Sequence, residues 1–152
     1  MSVNKFNPIE VARQFLYVRE SGANSGNKVE AIQKWCGGLK GESWCCYFAT
    51  MVLDICFQGT APIPRLGACQ SVYDLAIKNG WVTTKPIAGD IFLYVDSNNH
   101  AHHIGIITVD GGGVGIAGNT SEDGTSSNGD RVAEHSISTN SNLVKYVHYP
   151  RS

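Results

Sequence analysis

Apolar residues follow two different rhythms along this chain, helical in the first half and strand-like in the second. Residues 45–57 (Cys-Cys-Tyr-Phe-Ala-Thr-Met-Val-Leu-Asp-Ile-Cys-Phe) contain neither Gly nor Pro. They are apolar on nearly every side, which predicts a central helix buried all round. Earlier, Asn7 is placed to cap a helix with Pro8 in its first turn and Glu10 reaching back. Val11, Phe15 and Val18 continue it at helical spacing. Residues 27–35 predict a second helix. Pro62-Ile63-Pro64 then breaks the chain, and residues 70–79 predict a fourth helix that Gly80 ends.

From residue 90 onward the apolar runs are short and bounded by Gly, Asp, Asn and Ser. They predict strands at 90–95, 103–109, 114–118, 132–138 and 143–149. Residues 97–101 form a polar turn, and Gly111-Gly112-Gly113 turns a hairpin. Helices followed by strands predict an α+β fold, with N-terminal helices packed on an antiparallel sheet of about five strands. Neither an internal repeat nor a linker interrupts the pattern, so residues 1–152 are expected to be a single domain. The loop 121–130 (SEDGTSSNGD) is polar and Gly-rich, and its place after Asn119 could set it beside a substrate cleft.

Two residues carry candidate chemistry on these elements. Cys45 opens the central helix, with Ser43 expected as its N-cap. In a first turn the backbone N–H groups lack intrahelical partners. The positive end of the helix dipole also favours thiolate over thiol. Cys46 competes for the nucleophile role, whereas Cys36, Cys56 and Cys69 read as buried structural thiols. His103 stands at a strand start, and Asn119 ends the strand returning beside it. There the Asn carbonyl could accept from one imidazole nitrogen and fix its tautomer. His100, His102 and His103 also allow a zinc reading. Neighbours 102 and 103 would point to opposite faces of a strand, however, and the chain has neither a CxxC pair nor an HExxH motif. His135 and His148 sit in ordinary strand patterns.

Trp44-Cys45 at a helix start, Gly89-Asp90-Ile91 opening a strand, His103-Ile104-Gly105-Ile106-Ile107, and Gly118-Asn119-Thr120 occur in this order. Together they resemble the CHAP family of cysteine- and histidine-dependent amidohydrolases and peptidases, which have a papain-like core. Asn24-Ser25-Gly26-Asn27-Lys28-Val29 resembles an element upstream of the cysteine in many members, and the resemblance runs from about residue 20 to the C-terminus. It implies cleavage of amide bonds in peptidoglycan stem peptides, with Cys45 as nucleophile, His103 as base and Asn119 as the third polar residue. Ala117 stands where many members carry an acidic residue, so the third role falls to Asn119 alone or to nearby Glu122. The acidic cluster that binds calcium in some relatives is missing before Cys45, and no calcium, zinc or other cofactor is expected. The Trp-Cys order favours Cys45 over Cys46.

A charged fraction of 16% and a net charge of −1 give no reason to expect nucleic acid as a partner. No apolar stretch is long enough for a bilayer, and the polar N-terminus does not read as a secretory signal. Five cysteines leave at least one unpaired, and their helical settings suggest a reduced state on synthesis. The expectation is a monomer made in the cytoplasm that reaches the cell wall by phage-type release or by delivery from a bacterium. Delivery machinery or an immunity protein would then be its protein partners. Trp44 and Tyr47 are candidates for the cleft lining or for the core. The rival classes are a thiol amidase or transglutaminase acting on a non-wall amide, a catalytically silent binding module, and a zinc protein.

Overall fold

A computed structural model describes residues 6–124 and 129–151. Residues 1–5, residues 125–128 of the stretch after Asn119, and residue 152 lie outside the described residues. The described helices are α1 (Pro8–Arg13), α2 (Asn27–Trp35), α3 (Cys45–Cys56) and α4 (Cys69–Asn79). The strands are β1 (Val82–Thr83), β2 (Ile91–Val95), β3 (Ala101–Ile107), β4 (Val114–Thr120), β5 (Arg131–Ser136) and β6 (Val144–Val147). They form one antiparallel sheet in the order β1-β6-β2-β3-β4-β5. The chain is therefore α+β, with its helices preceding the sheet.

The all-round apolar run becomes the buried centre. Every α3 residue except Asp54 and Ile55 is buried, and the helix packs against β3 and β4 of the sheet and against α1 and α2. Along β2, Ile91, Leu93 and Val95 enter the main core with α3. Phe92 between them joins a smaller cluster with Ile107, Ala117, Ile137 and Tyr146. That alternation follows from the two-residue period of a strand. β3 and β4 pair through Ile106 with Ile116 and Ile107 with Gly115. His103 and Asn119 lie on the same two strands, beyond these paired residues.

Several boundaries differ from the pattern. The sheet has six strands rather than five, because Val82 and Thr83 form a short edge strand on β6. α1 ends at Arg13, although the helical spacing runs to Val18. Beyond Arg13 the backbone tightens into three-residue turns, with the N–H groups of Phe15 and Leu16 bonded to the carbonyls of Ala12 and Arg13. Val18 then accepts from the Val132 N–H, so this apolar position serves the edge of β5 instead of a helix face. β3 begins at Ala101, inside the expected turn, and β4 runs through Asn119 to Thr120. Gly80 ends α4 as expected, in the left-handed conformation at φ 70°. The Asn7 side chain caps α1, accepting from the Ile9 N–H at 2.9 Å.

The start of β2 is tied to the chain's C-terminal segment. Asp90, fully buried, accepts from Nδ1 of His148 at 2.8 Å, from Arg151 at 2.9 Å and from the Ile87 N–H at 2.9 Å. No helix among the described residues is long and apolar enough to cross a membrane.

His135 supplies a pH test of this fold. Its ring is buried against Phe92, and burial pushes its pKa below the ordinary 6.5. An imidazole held neutral when folded takes up a proton on unfolding, so its contribution to stability is full above pH 6.5 and falls as the pH drops towards the folded value. Thermal melting between pH 7 and pH 5.5 should show a steeper loss for the wild type than for His135→Asn. Parallel slopes would show that this ring does not couple folding to protonation.

Candidate active site

Cys45 is the first residue of α3, and its position is fixed from the residue before it. Trp44 is the N-cap, with its ring fully buried and its indole N–H donating to Glu20 at 2.8 Å. The ring and Phe48 press on Gly118 of β4, where an added Cβ would lie 2.8 Å from both. Only glycine lets the strand come this close to the helix start. The loop before the cysteine is held from behind by Gln33, also fully buried, whose amide donates to the carbonyls of Asn24 at 3.0 Å and Glu42 at 2.8 Å. The upstream segment that resembles the family element thus anchors the approach to Cys45.

Ser43 is not the N-cap. No side chain caps α3, and the helix's first backbone bond runs from Phe48 N–H to Trp44 O. The N–H groups of its first turn therefore have no intrahelical partner. The Ser43 hydroxyl is engaged elsewhere, accepting from Asn119 Nδ2 at 2.7 Å. That bond joins two of the expected elements across the fold, the segment before Cys45 and the end of β4.

Asn119 owes its direction to a local break in the sheet. The β4–β5 register shifts between Ala117 and Thr120, and Asn119 adopts the left-handed conformation at φ 53°. Asn tolerates this region better than most residues, and such a break re-aims the side chain. Its amide nitrogen reaches Ser43, while Oδ1 is buried with no hydrogen-bond partner among the described residues.

His103 is the third residue of β3 and is fully buried. Its ring lies 5.4 Å from the Tyr94 ring, its register partner, and 6.3 Å from that of Phe92. It stands close enough to Cys45 to act on the thiol, and its effect is to lower the thiol's pKa. Neither ring nitrogen completes a hydrogen bond among the described residues. Two imidazole nitrogens and one amide oxygen are thus buried, polar and uncommitted around the nucleophile candidate. Such groups are uncommon in folded interiors and cost stability where they occur.

Cys69, which the pattern assigned to structure, belongs here. It is the first residue of α4, and its Sγ lies 3.6 Å from that of Cys45. The contact with Cys69 and burial together hold the Cys45 pKa well above the ordinary thiol range, against the opposing pull of His103. For Cys69, the contact with Cys45 pulls its pKa down, but its contact with Cys46 and burial outweigh this and raise it. The net push on both thiols is towards the neutral form. The expected fourth helix began at residue 70, one past Cys69, and nothing in the sequence showed that this helix start converges with that of α3.

The remaining candidates lie apart. His102 is exposed beside the β2–β3 irregularity, and His100 sits in a turn closed by its own N–H bonding to Asp96. No three His, Cys, Asp or Glu side chains among the described residues are grouped as a metal site requires. The Glu122 side chain is 90% exposed and faces Arg131 at 3.7 Å, unlike the buried Asn119. Trp44 and Tyr47 are both core residues, Tyr47 donating to Glu42 at 3.0 Å. Cys45 itself is only 3% exposed, although the neighbouring residues 41–43 lie at the surface.

The adjacent cysteines can be separated experimentally. Cys45→Ser should remove turnover by on the order of a thousandfold or more with the fold intact. Cys46→Ser should retain activity and lose about 1–3 kcal/mol, because its fully buried position then holds a hydroxyl. Hydrolysis rates and melting curves of both variants check this. A folded, inactive Cys46→Ser beside an active Cys45→Ser would reverse the assignment.

No family model matches the chain, and no curated protein matches it.

Proposed function

We propose that this protein is a cysteine amidohydrolase or peptidase that cleaves an amide bond of peptidoglycan, with Cys45 as nucleophile, His103 as base and Asn119 as the residue that orients it. The observation that carries this reading is Cys45 at an uncapped helix start beside a buried imidazole with both nitrogens uncommitted, with the neighbouring Ser43 bonded to an amide whose oxygen is also uncommitted. The resemblance to the CHAP family supplies the substrate. The order of helices and antiparallel sheet supports a papain-like core of that kind.

On this reading His103 takes the Cys45 proton as the sulfur attacks the amide carbonyl. Free N–H groups in the first turn of α3 receive the oxyanion. His103 returns the proton to the departing amine, leaving a thioester. Water then attacks the thioester, giving its proton to His103, and the acid and free thiol are regenerated. Asn119 Oδ1, unbonded to His103 in the resting structure, is left to accept from the second imidazole nitrogen during turnover and so keep the first one facing sulfur. The raised thiol pKa fits proton transfer coupled to attack rather than a standing thiolate. The bond cut is either the one between sugar and stem peptide or one within or between stems. The protein would act as a phage lysin or a delivered bacterial effector, working on the wall without a cofactor.

One observation favours a rival. A thiol that is 3% exposed with a raised pKa also suits a catalytically silent binding module. Digestion of purified peptidoglycan separates the two. Soluble products should carry new amine and carboxyl termini without new reducing sugar ends, and release should persist in EDTA and vanish with Cys45→Ser. New reducing ends alone would falsify the amide assignment. Wall binding without any release, together with failure of iodoacetamide to label Cys45, would favour the silent module.

A further inference from the structure

Cys69 has no part in the amide chemistry, yet its sulfur lies 3.6 Å from the proposed nucleophile. Both cysteines occupy the first position of a helix, so the N-termini of α3 and α4 converge on two thiols. Positive dipole ends favour the thiolate through which oxidation proceeds, opposing the burial that raises both thiols. A disulfide needs sulfurs at about 2.05 Å, so only a short approach separates this pair from a bond. The neighbouring Cys45–Cys46 pair is a poor alternative. Adjacent Cα atoms are about 3.8 Å apart, below the usual disulfide range of about 4.4–6.8 Å.

We propose that Cys45 and Cys69 are an oxidative modification site, closing to a reversible disulfide when the protein meets hydrogen peroxide. The Cys45 thiol attacks peroxide, the O–O bond breaks, and sulfenic acid and one water form. The Cys69 sulfur then attacks that sulfenic sulfur, expelling a second water and forming the S–S bond. Two thiols lose two electrons in all, and one peroxide is reduced to two waters. With Cys45 at 3% and Cys69 at 8% exposure, the site admits a small oxidant more readily than a protein partner. Cys69 thereby traps the sulfenic acid before it passes to the irreversible sulfinic and sulfonic states. The consequence for activity rests on Cys45 being the nucleophile: the bridged protein is inactive and is restored by a dithiol.

The test treats the native full chain with a few equivalents of hydrogen peroxide, then traps free thiols and maps peptides by mass spectrometry. The expected result is a loss of about 2 Da, a fall in free thiols from five to three, and a linked peptide pair containing Cys45 and Cys69. Wall hydrolysis should fall as the bridge forms and return with dithiothreitol. In Cys69→Ser, Cys45 should instead gain two or three oxygens, with no recovery. A Cys46–Cys69 link, or over-oxidised Cys45 beside free Cys69 in the wild type, would overturn the proposal. The mapping does not depend on wall activity or on any variant folding. A mapped bridge in a protein that never hydrolyses wall would sustain the modification site and remove the proposed function.

Discussion

The seat of α3 on β4 sets the geometry of everything around it. Trp44 and Phe48 leave no space for a side chain at position 118, so helix start and strand end meet at contact distance. Because the helix is buried on nearly every side, its axis is held by α1, α2 and the sheet together. Cys45 follows Trp44 directly, and Asn119 follows Gly118 directly. One close approach of backbone to ring therefore delivers both residues to the same place, and the Ser43–Asn119 hydrogen bond records how well they meet.

The surroundings of Cys45 balance opposed effects. Burial and the Cys69 contact favour the neutral thiol, while His103 favours the anion. An open thiolate would be more nucleophilic at neutral pH and more readily consumed by oxidants. The interior instead keeps sulfur protonated and places unpaired nitrogen and oxygen acceptors nearby. Their desolvation is unfavourable in the resting state, and is offset by the apolar contacts of Phe92, Tyr94 and the α3 core.

The central helix was legible because thirteen positions without Gly or Pro leave few other options. The β3–β4 hairpin was legible from its glycine turn, and with it the antiparallel pairing of the two strands that carry His103 and Asn119. Other features were set by partners far along the chain. Val18 keeps helical spacing with Val11 and Phe15, but the edge of β5 claims its carbonyl. Val82 and Thr83 form a strand only because β6 offers an edge, since two residues carry no period of their own. Ser43 has the chemistry of a cap, and Asn119, 76 residues away, takes its hydroxyl. Cys69 looked like any buried thiol because its significance lies in the crossing of two helix starts.

The left-handed backbone at Asn119 couples two requirements that are usually separable. The side chain gives an amide hydrogen to Ser43, and the same residue bears a conformation that most side chains resist. Asp would suit the backbone but brings a charge and no donor, Gly would suit it with no functional group, and Gln would supply the amide at a strained backbone. Sequence drift at this one position is therefore filtered twice. A site that elsewhere depends on placement alone has, here, almost no vocabulary of substitutes.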